Sequence, residues 1–207
     1  MRAKSWSFAL VLTLAIGVSG YALWAYGGGV QRVPVHPEMI KVFNEHRVLI
    51  TLHAVGASLA LLLGPFQFLD GWRKQSPKAH RILGYLYLGP GVVVGGVAGL
   101  LLAPRAFGGM VSHLGFGLLA CLWLLTAWLA LVAAKGRRYA DHRRWMVRNY
   151  ALTFAAVTLR IYLPLAMAAG LPFEAVYPTI AWCCWVPNLI AVEWFGLRKT
   201  DPRGTEA

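Results

Sequence analysis

Six apolar runs, at about 6–26, 48–69, 81–103, 110–134, 147–170 and 174–197, dictate what this chain can become. Each has roughly the 20 residues that an α-helix needs to cross the hydrocarbon core of a bilayer. No water enters that core, so backbone N–H and C=O groups must be satisfied within the segment, as they are in a helix. Composition agrees: 58% of the residues are hydrophobic and 14% charged, against about 25% charged in ordinary globular chains. Six spans take roughly 120 residues, and the rest of the 207 suffices for loops and tails only. The expectation is one all-α integral membrane domain over 1–207, with no separate soluble domain.

The net charge of +12 would point a soluble protein towards nucleic acid. Its distribution points elsewhere. Arg2 and Lys4 form one burst, and Arg73, Lys74, Lys78 and Arg81 a second. Lys135, Arg137, Arg138, Arg143, Arg144 and Arg148 form a third, and Arg198, Lys199 and Arg203 a fourth. Apolar runs separate these bursts two at a time, which is the positive-inside pattern. It places both termini in the cytoplasm of a bacterial inner membrane and makes nucleic-acid binding unnecessary. The 20-residue first run exceeds a usual signal-peptide core, so it is expected to stay as a helix.

Punctuation fits six helices. Gly27-Gly28-Gly29 closes the first, and a loop with Pro34 and Pro37 follows; Gly71 and Ser76-Pro77 separate the second from the third. Pro104 and Gly108-Gly109 come before the fourth, and Gly170-Leu171-Pro172 turns into the sixth. Asp141 is placed to cap the fifth. Trp6, Trp24, Trp72, Trp145 and Trp194 fall near helix ends as interfacial anchors, whereas Trp123, Trp128, Trp182 and Trp185 lie deeper and are expected to pack. Cys121, Cys183 and Cys184 all fall in apolar segments, without the spacing of a zinc or disulfide motif.

Histidine inside a membrane span is rare and reads as functional by default. His53 lies about six residues into the second helix from the outer face, and His113 about four into the fourth. His80 and His142 open the third and fifth helices at the inner face. At about 100° per residue, His53 shares a face with Ala57 and Gln67, His80 with Gly84 and Tyr87, and His113 with Gly117 and Ala120. His142, Asn149, Thr153, Ala156 and Arg160 form one stripe. Small residues follow three of the histidines at i+4 (Ala57, Gly84, Gly117), while Met146 follows the fourth. A b-type haem between two helices takes one imidazole from each, and its flat ring needs small neighbours. Small-residue stripes also let helices pack closely in lipid with no cofactor.

With its histidine pairs on helices two and four and on three and five, the chain resembles the ascorbate-linked di-haem transmembrane cytochrome b family over residues 48–165. That resemblance implies a core bundle of helices two to five. It also implies two haem b groups, with His53 and His113 ligating the outer iron and His80 and His142 the inner one. For His142 to reach a buried haem, the fifth helix must extend back through Arg143, Arg144 and Trp145. Otherwise the inner cluster would hold a haem propionate, an anionic lipid or an anionic substrate. Most of the chain also resembles a bacterial family of predicted membrane proteins of unknown function. The segments that carry this second likeness are Gly64-Pro65-Phe66-Gln67-Phe68, the run from His80 to Tyr87, the run from His142 to Tyr150, and Leu159-Arg160-Ile161-Tyr162-Leu163-Pro164.

Arg160 is the only basic residue deep in a span, where an isolated charge costs about 3 kcal/mol or more. It is expected to face the interior and bind a haem propionate or helix-end carbonyls, since Glu193 falls towards the opposite face. Gln67, Asn149 and Asn188 read as interhelical hydrogen-bond makers, and His36 and His46 as solvated loop residues. No catalytic constellation emerges. Two functions follow: a di-haem membrane cytochrome moving electrons, or a non-redox protein that is a small transporter or an accessory subunit of a membrane complex. The partner classes are the bilayer, an electron donor and acceptor, a second copy of the chain, or a membrane-complex subunit.

Overall fold

The structure, a computed structural model, describes residues 2–27, 32 and 36–197. Gly28, Gly29, Pro34 and the fourth basic burst lie outside them. Six helices are long and apolar enough to cross a membrane: Ser7–Tyr26, Arg47–Gln67, Pro77–Arg105, Gly109–Lys135, Tyr139–Ala168 and Phe173–Phe195. Their outer surfaces carry bare large apolar side chains, among them Leu10, Ile82, Leu101, Met110, Leu165 and Phe195. Apolar area of this extent is stable only against lipid, so the protein is a multi-pass membrane protein.

The third and fifth spans begin before their apolar runs, at Pro77 and Tyr139 instead of 81 and 147. Their first turns are polar on one side, so hydropathy alone dates them late. Asp141 therefore sits inside the first turn of the fifth span, not at its cap, and faces Arg138 at 3.7 Å. It still suits the positive end of the helix dipole there. Two further helices are short: Pro37–Glu45 before the second span and Asp70–Gln75 after it.

Several spans are irregular. Pro90 lacks an N–H and crowds the carbonyl four residues back, and the third span widens to a π-helix over Tyr87–Val94. The fifth divides at Phe154 into Tyr139–Thr153 and Ala155–Ala168. There Thr153 Oγ1 donates to Asn149 O at 2.9 Å and Thr158 Oγ1 to Phe154 O at 3.2 Å, bonds that bend helices. Gly108, at φ +91°, opens the fourth span under Pro178, where a Cβ would stand 2.6 Å from that ring.

Second and third spans meet backbone to backbone. A Cβ on Gly56 would lie 2.7 Å from Gly95 N and 2.9 Å from Gly91 O, the close approach that small residues allow in lipid. Gly64 leaves its space to the Tyr150 ring, tying the second span to the fifth. The main core joins Ala60, Tyr87, Trp123, Leu152 and Trp185 from five spans, and the first span packs through Ala15 on Leu61 and Val157. Of the deep tryptophans, Trp123 and Trp185 are buried as expected, whereas Trp128 is 60% exposed and faces outward.

The loops rich in Arg and Lys share one end of the bundle, here the basic end. Arg148 of the fifth span pairs there with Glu193 of the sixth. At the far end, Trp182 Nε1 donates to Val111 O at 3.0 Å.

Candidate functional site

The far half of the bundle contains a partly open cavity of about 350 Å³. Ala54 and Ala57 of the second span, Gly96 and Gly99 of the third, Phe116 and Ala120 of the fourth, and Ala156 and Arg160 of the fifth all line it. Tyr26, Tyr177 and the short helix Pro37–Glu45, through Met39 and Phe43, complete its wall. The small side chains of four spans make this space, since each leaves the bundle axis underfilled.

His53 opens onto the cavity. Its Nδ1–H donates to Gly95 O of the third span at 2.8 Å; a carbonyl only accepts, so the proton sits on Nδ1 and Nε2 keeps its lone pair. The ring lies against Gly99, where a Cβ would come within 2.8 Å of Nδ1. His113 stands on the same face of the fourth span as Phe116 and Ala120 but does not line the cavity. Its Nε2 donates instead to Ala106 O, on the cavity rim, at 3.0 Å. The structure therefore brings His53 to the cavity and leaves His113 turned to its edge.

At the basic end, the helix of the fifth span does run through Arg143, Arg144 and Trp145, since it starts at Tyr139. His142 is thus held on a regular helix, and its Nδ1–H donates to Ala130 O of the fourth span at 2.9 Å. His80 lies within electrostatic reach of His142, and its Nδ1 is buried without a hydrogen-bond partner. Gln67 Nε2 is likewise buried and unpartnered, and Gln67 Oε1 stands 3.5 Å from where a Cβ on Gly84 would be.

Between the cavity and this pair lies a polar knot that composition did not announce. Tyr87 Oη donates to Asn149 Oδ1 at 2.7 Å and meets Thr153 Oγ1 at 3.0 Å. Trp123 Nε1 donates to Thr153 Oγ1 at 2.8 Å. Asn149 Nδ2 reaches Trp123 O at 2.7 Å and Thr126 Oγ1 at 2.8 Å. Sequence reasoning placed Asn149 and Thr153 on one stripe and Tyr87 on another; it missed Trp123 and Thr126, which nothing but depth in the fourth run marked.

A family described as "Predicted membrane protein (DUF2306)" matches residues 50–195. The chain belongs to this family. The DUF2306 segment contains all four paired histidines, Arg160 and the whole polar knot, while the first span and the helix Pro37–Glu45 precede it. No curated protein and no solved structure matches the chain. The segments that carry the likeness to this DUF2306 family meet in space: Gly64 with Tyr150, Gln67 with Gly84, and Tyr87 with Asn149.

Arg160 faces the cavity and donates from Nη1 to Ala156 O, one turn back on its own helix, at 3.0 Å. Glu193 is committed to Arg148 at the opposite end. His36 departs from the solvated-loop expectation. Its ring stacks on Phe173 at 5.0 Å and 8°, and its Nε2 lies 3.3 Å from Glu174 Oε1. Among the described residues, no group of three or more His, Cys, Asp or Glu side chains gathers as a metal site would require.

Proposed function

We propose that this protein is a b-type membrane cytochrome that holds two haems among spans two to five and moves electrons across the bacterial inner membrane. In this reading the basic end and both termini face the cytoplasm. His53 and His113 ligate the far-end haem and His80 and His142 the basic-end haem, with Arg160 beside the former.

One observation carries the reading. His53 and His142, at opposite ends of the bundle, each donate Nδ1–H to a backbone carbonyl of the neighbouring span. Imidazoles that ligate metals are held in just this way, with the outer N–H on a carbonyl or carboxylate and the other nitrogen free to coordinate. The unpartnered His80 Nδ1 adds a second imidazole within reach of His142. Gly84 and Gly117 meet nothing nearer than 3.5 and 3.8 Å where a Cβ would stand, so helix packing does not account for them. His113 fits once it gives up Ala106 O.

Bound haem would supply reversible one-electron chemistry at iron. The chain's own residues hold two imidazoles in a single tautomer, and the mainly apolar walls of the cavity surround the far-end site. Tyr87, Thr153 and Trp123 fill the space between the two ends with hydrogen-bonded, fully packed groups.

Protein purified from haem-replete cells should give the reduced-minus-oxidised difference spectrum of a b-type haem. His53→Ala or His113→Ala should remove one haem, His80→Ala or His142→Ala the other, and His36→Ala neither. A colourless preparation overturns the reading. It would favour a non-redox membrane protein, a small transporter or an accessory subunit, for which His113 speaks: Ala106 O satisfies it with no cofactor.

A further inference from the structure

Among the described residues, no acidic side chain pairs with the guanidinium that faces the far-end cavity. A guanidinium has five N–H donors, yet Arg160 donates only to Ala156 O, and its Nε is buried without a partner. The Tyr21 ring lies 5.8 Å from its Cζ. Glu174 faces His36, Asp70 Arg73, Asp141 Arg138 and Glu193 Arg148, while Glu45 is exposed at the end of the short helix. Tyr26 and Tyr177 line the same cavity and lie within electrostatic reach of Arg160, but phenols stay neutral at physiological pH and balance no charge. A buried cation left so is strongly unfavourable. Apart from His53, Ser58, Arg105 and Thr153 the remaining wall is mainly apolar, and the cavity's 350 Å³ falls in the size range of pockets for small organic ligands.

We propose that Arg160, flanked by Tyr26 and Tyr177, is a carboxylate-binding site in this cavity, for a ligand with an acidic head on a large apolar body. The planar guanidinium fork matches the two oxygens of a carboxylate, the Tyr26 and Tyr177 phenols line the same cavity, and the apolar part of the wall takes the body. Two sources share this chemistry: the propionate of a haem, which rests on the function proposed above, and a free long-chain acid, which does not.

The test uses the full chain purified in a non-ionic detergent and two probe pairs: haem with its dimethyl ester, and dodecanoate with its methyl ester. Affinities come from absorbance titration and calorimetry. The proposal requires wild type to bind at least one acid about tenfold or more tightly than its ester, the effect of a charge-assisted hydrogen bond. Arg160→Gln should abolish that preference, Arg160→Lys should restore part of it, and Arg81→Gln at the basic end should keep it. Preference within the haem pair makes the propionate the source. Preference for dodecanoate in a protein that binds no haem upholds the site while the cytochrome reading falls. Haem and its ester bound equally, with dodecanoate ignored, overturn the site and leave the cytochrome reading standing. Binding of neither pair, or a preference that survives in Arg160→Gln, also overturns it. If Arg160→Gln fails to fold, the acid-against-ester comparison in wild type decides alone.

Discussion

Asn149 is the centre of the buried knot, and its removal has a calculable cost. Three hydrogen bonds end on its amide: one from Tyr87 Oη at 2.7 Å, one to Trp123 O at 2.7 Å and one to Thr126 Oγ1 at 2.8 Å. Interhelical bonds of this kind average about 0.6 kcal/mol in membranes and reach about 1.7, so the three sum to about 2 kcal/mol. The full penalty of orphaned polar groups does not apply, because Tyr87 keeps Thr153 at 3.0 Å and Thr126 Oγ1 keeps Leu122 O at 2.8 Å. Asn149 is 0% exposed, so Asn149→Ala also leaves a void worth about 1 kcal/mol. The expected loss is about 3 kcal/mol of unfolding free energy, read by titration with sodium dodecyl sulphate in mixed micelles and followed by tryptophan fluorescence. Tyr87→Phe in the Asn149→Ala background should show a coupling of about 0.6–1.7 kcal/mol. If Asn149→Ala stays within about 0.5 kcal/mol of wild type, the knot does not hold these spans together.

Other substitutions separate packing from clearance. Gly56→Ala drives a methyl to 2.7 Å from Gly95 N, where backbone cannot move aside, and should cost about 1–3 kcal/mol in the same titration. Gly117→Ala, whose nearest neighbour is 3.8 Å away, should unfold no more easily than wild type and gain up to about 1 kcal/mol. Gly64→Ala meets the Tyr150 ring; it should destabilise wild type and do so markedly less in a Tyr150→Ala background. Glu193→Gln breaks the Arg148 pair, but the two side chains are 24% and 43% exposed. Its cost should stay below about 1 kcal/mol and shrink further in salt.

The spans were legible because one solvent decides them: a run of apolar residues long enough to cross lipid leaves the backbone no alternative to a helix. Legibility failed where that solvent does not act. Tyr139–Met146 is helical although its face towards water is charged, because a helix needs only continuous backbone hydrogen bonding, while hydropathy scores the side chains. His36 looked like loop, since nothing in the sequence announces that Phe173 and Glu174, 138 positions away for the latter, come round to meet it. The knot was half legible. Asn149 and Thr153 share a helical face, so periodicity joins them, but their bonds to Trp123 depend on how the fourth span is rotated. Rotation follows from contacts between spans, which a single sequence does not list.

The glycines of the second, third and fourth spans fall into two physical classes. Gly56, Gly91 and Gly95 are required by neighbours: an added Cβ would meet atoms of the facing span at 3.3 Å or less. They are helix-packing residues and would be needed whether or not a ligand binds. Gly84 and Gly117 are different, having only ordinary contacts at 3.5 and 3.8 Å, and each lies one turn from a histidine. Stability alone would fill such positions, because a Gly inside a helix costs roughly 0.5–1 kcal/mol relative to Ala. That cost is understandable if something other than protein occupies the adjacent space. Gly84→Leu and Gly117→Leu therefore separate the two accounts: both should fold, and under the cytochrome reading each should reduce the haem signal of its own end. If both variants keep two full haem signals, these glycines provide no clearance and the i+4 pattern loses its meaning.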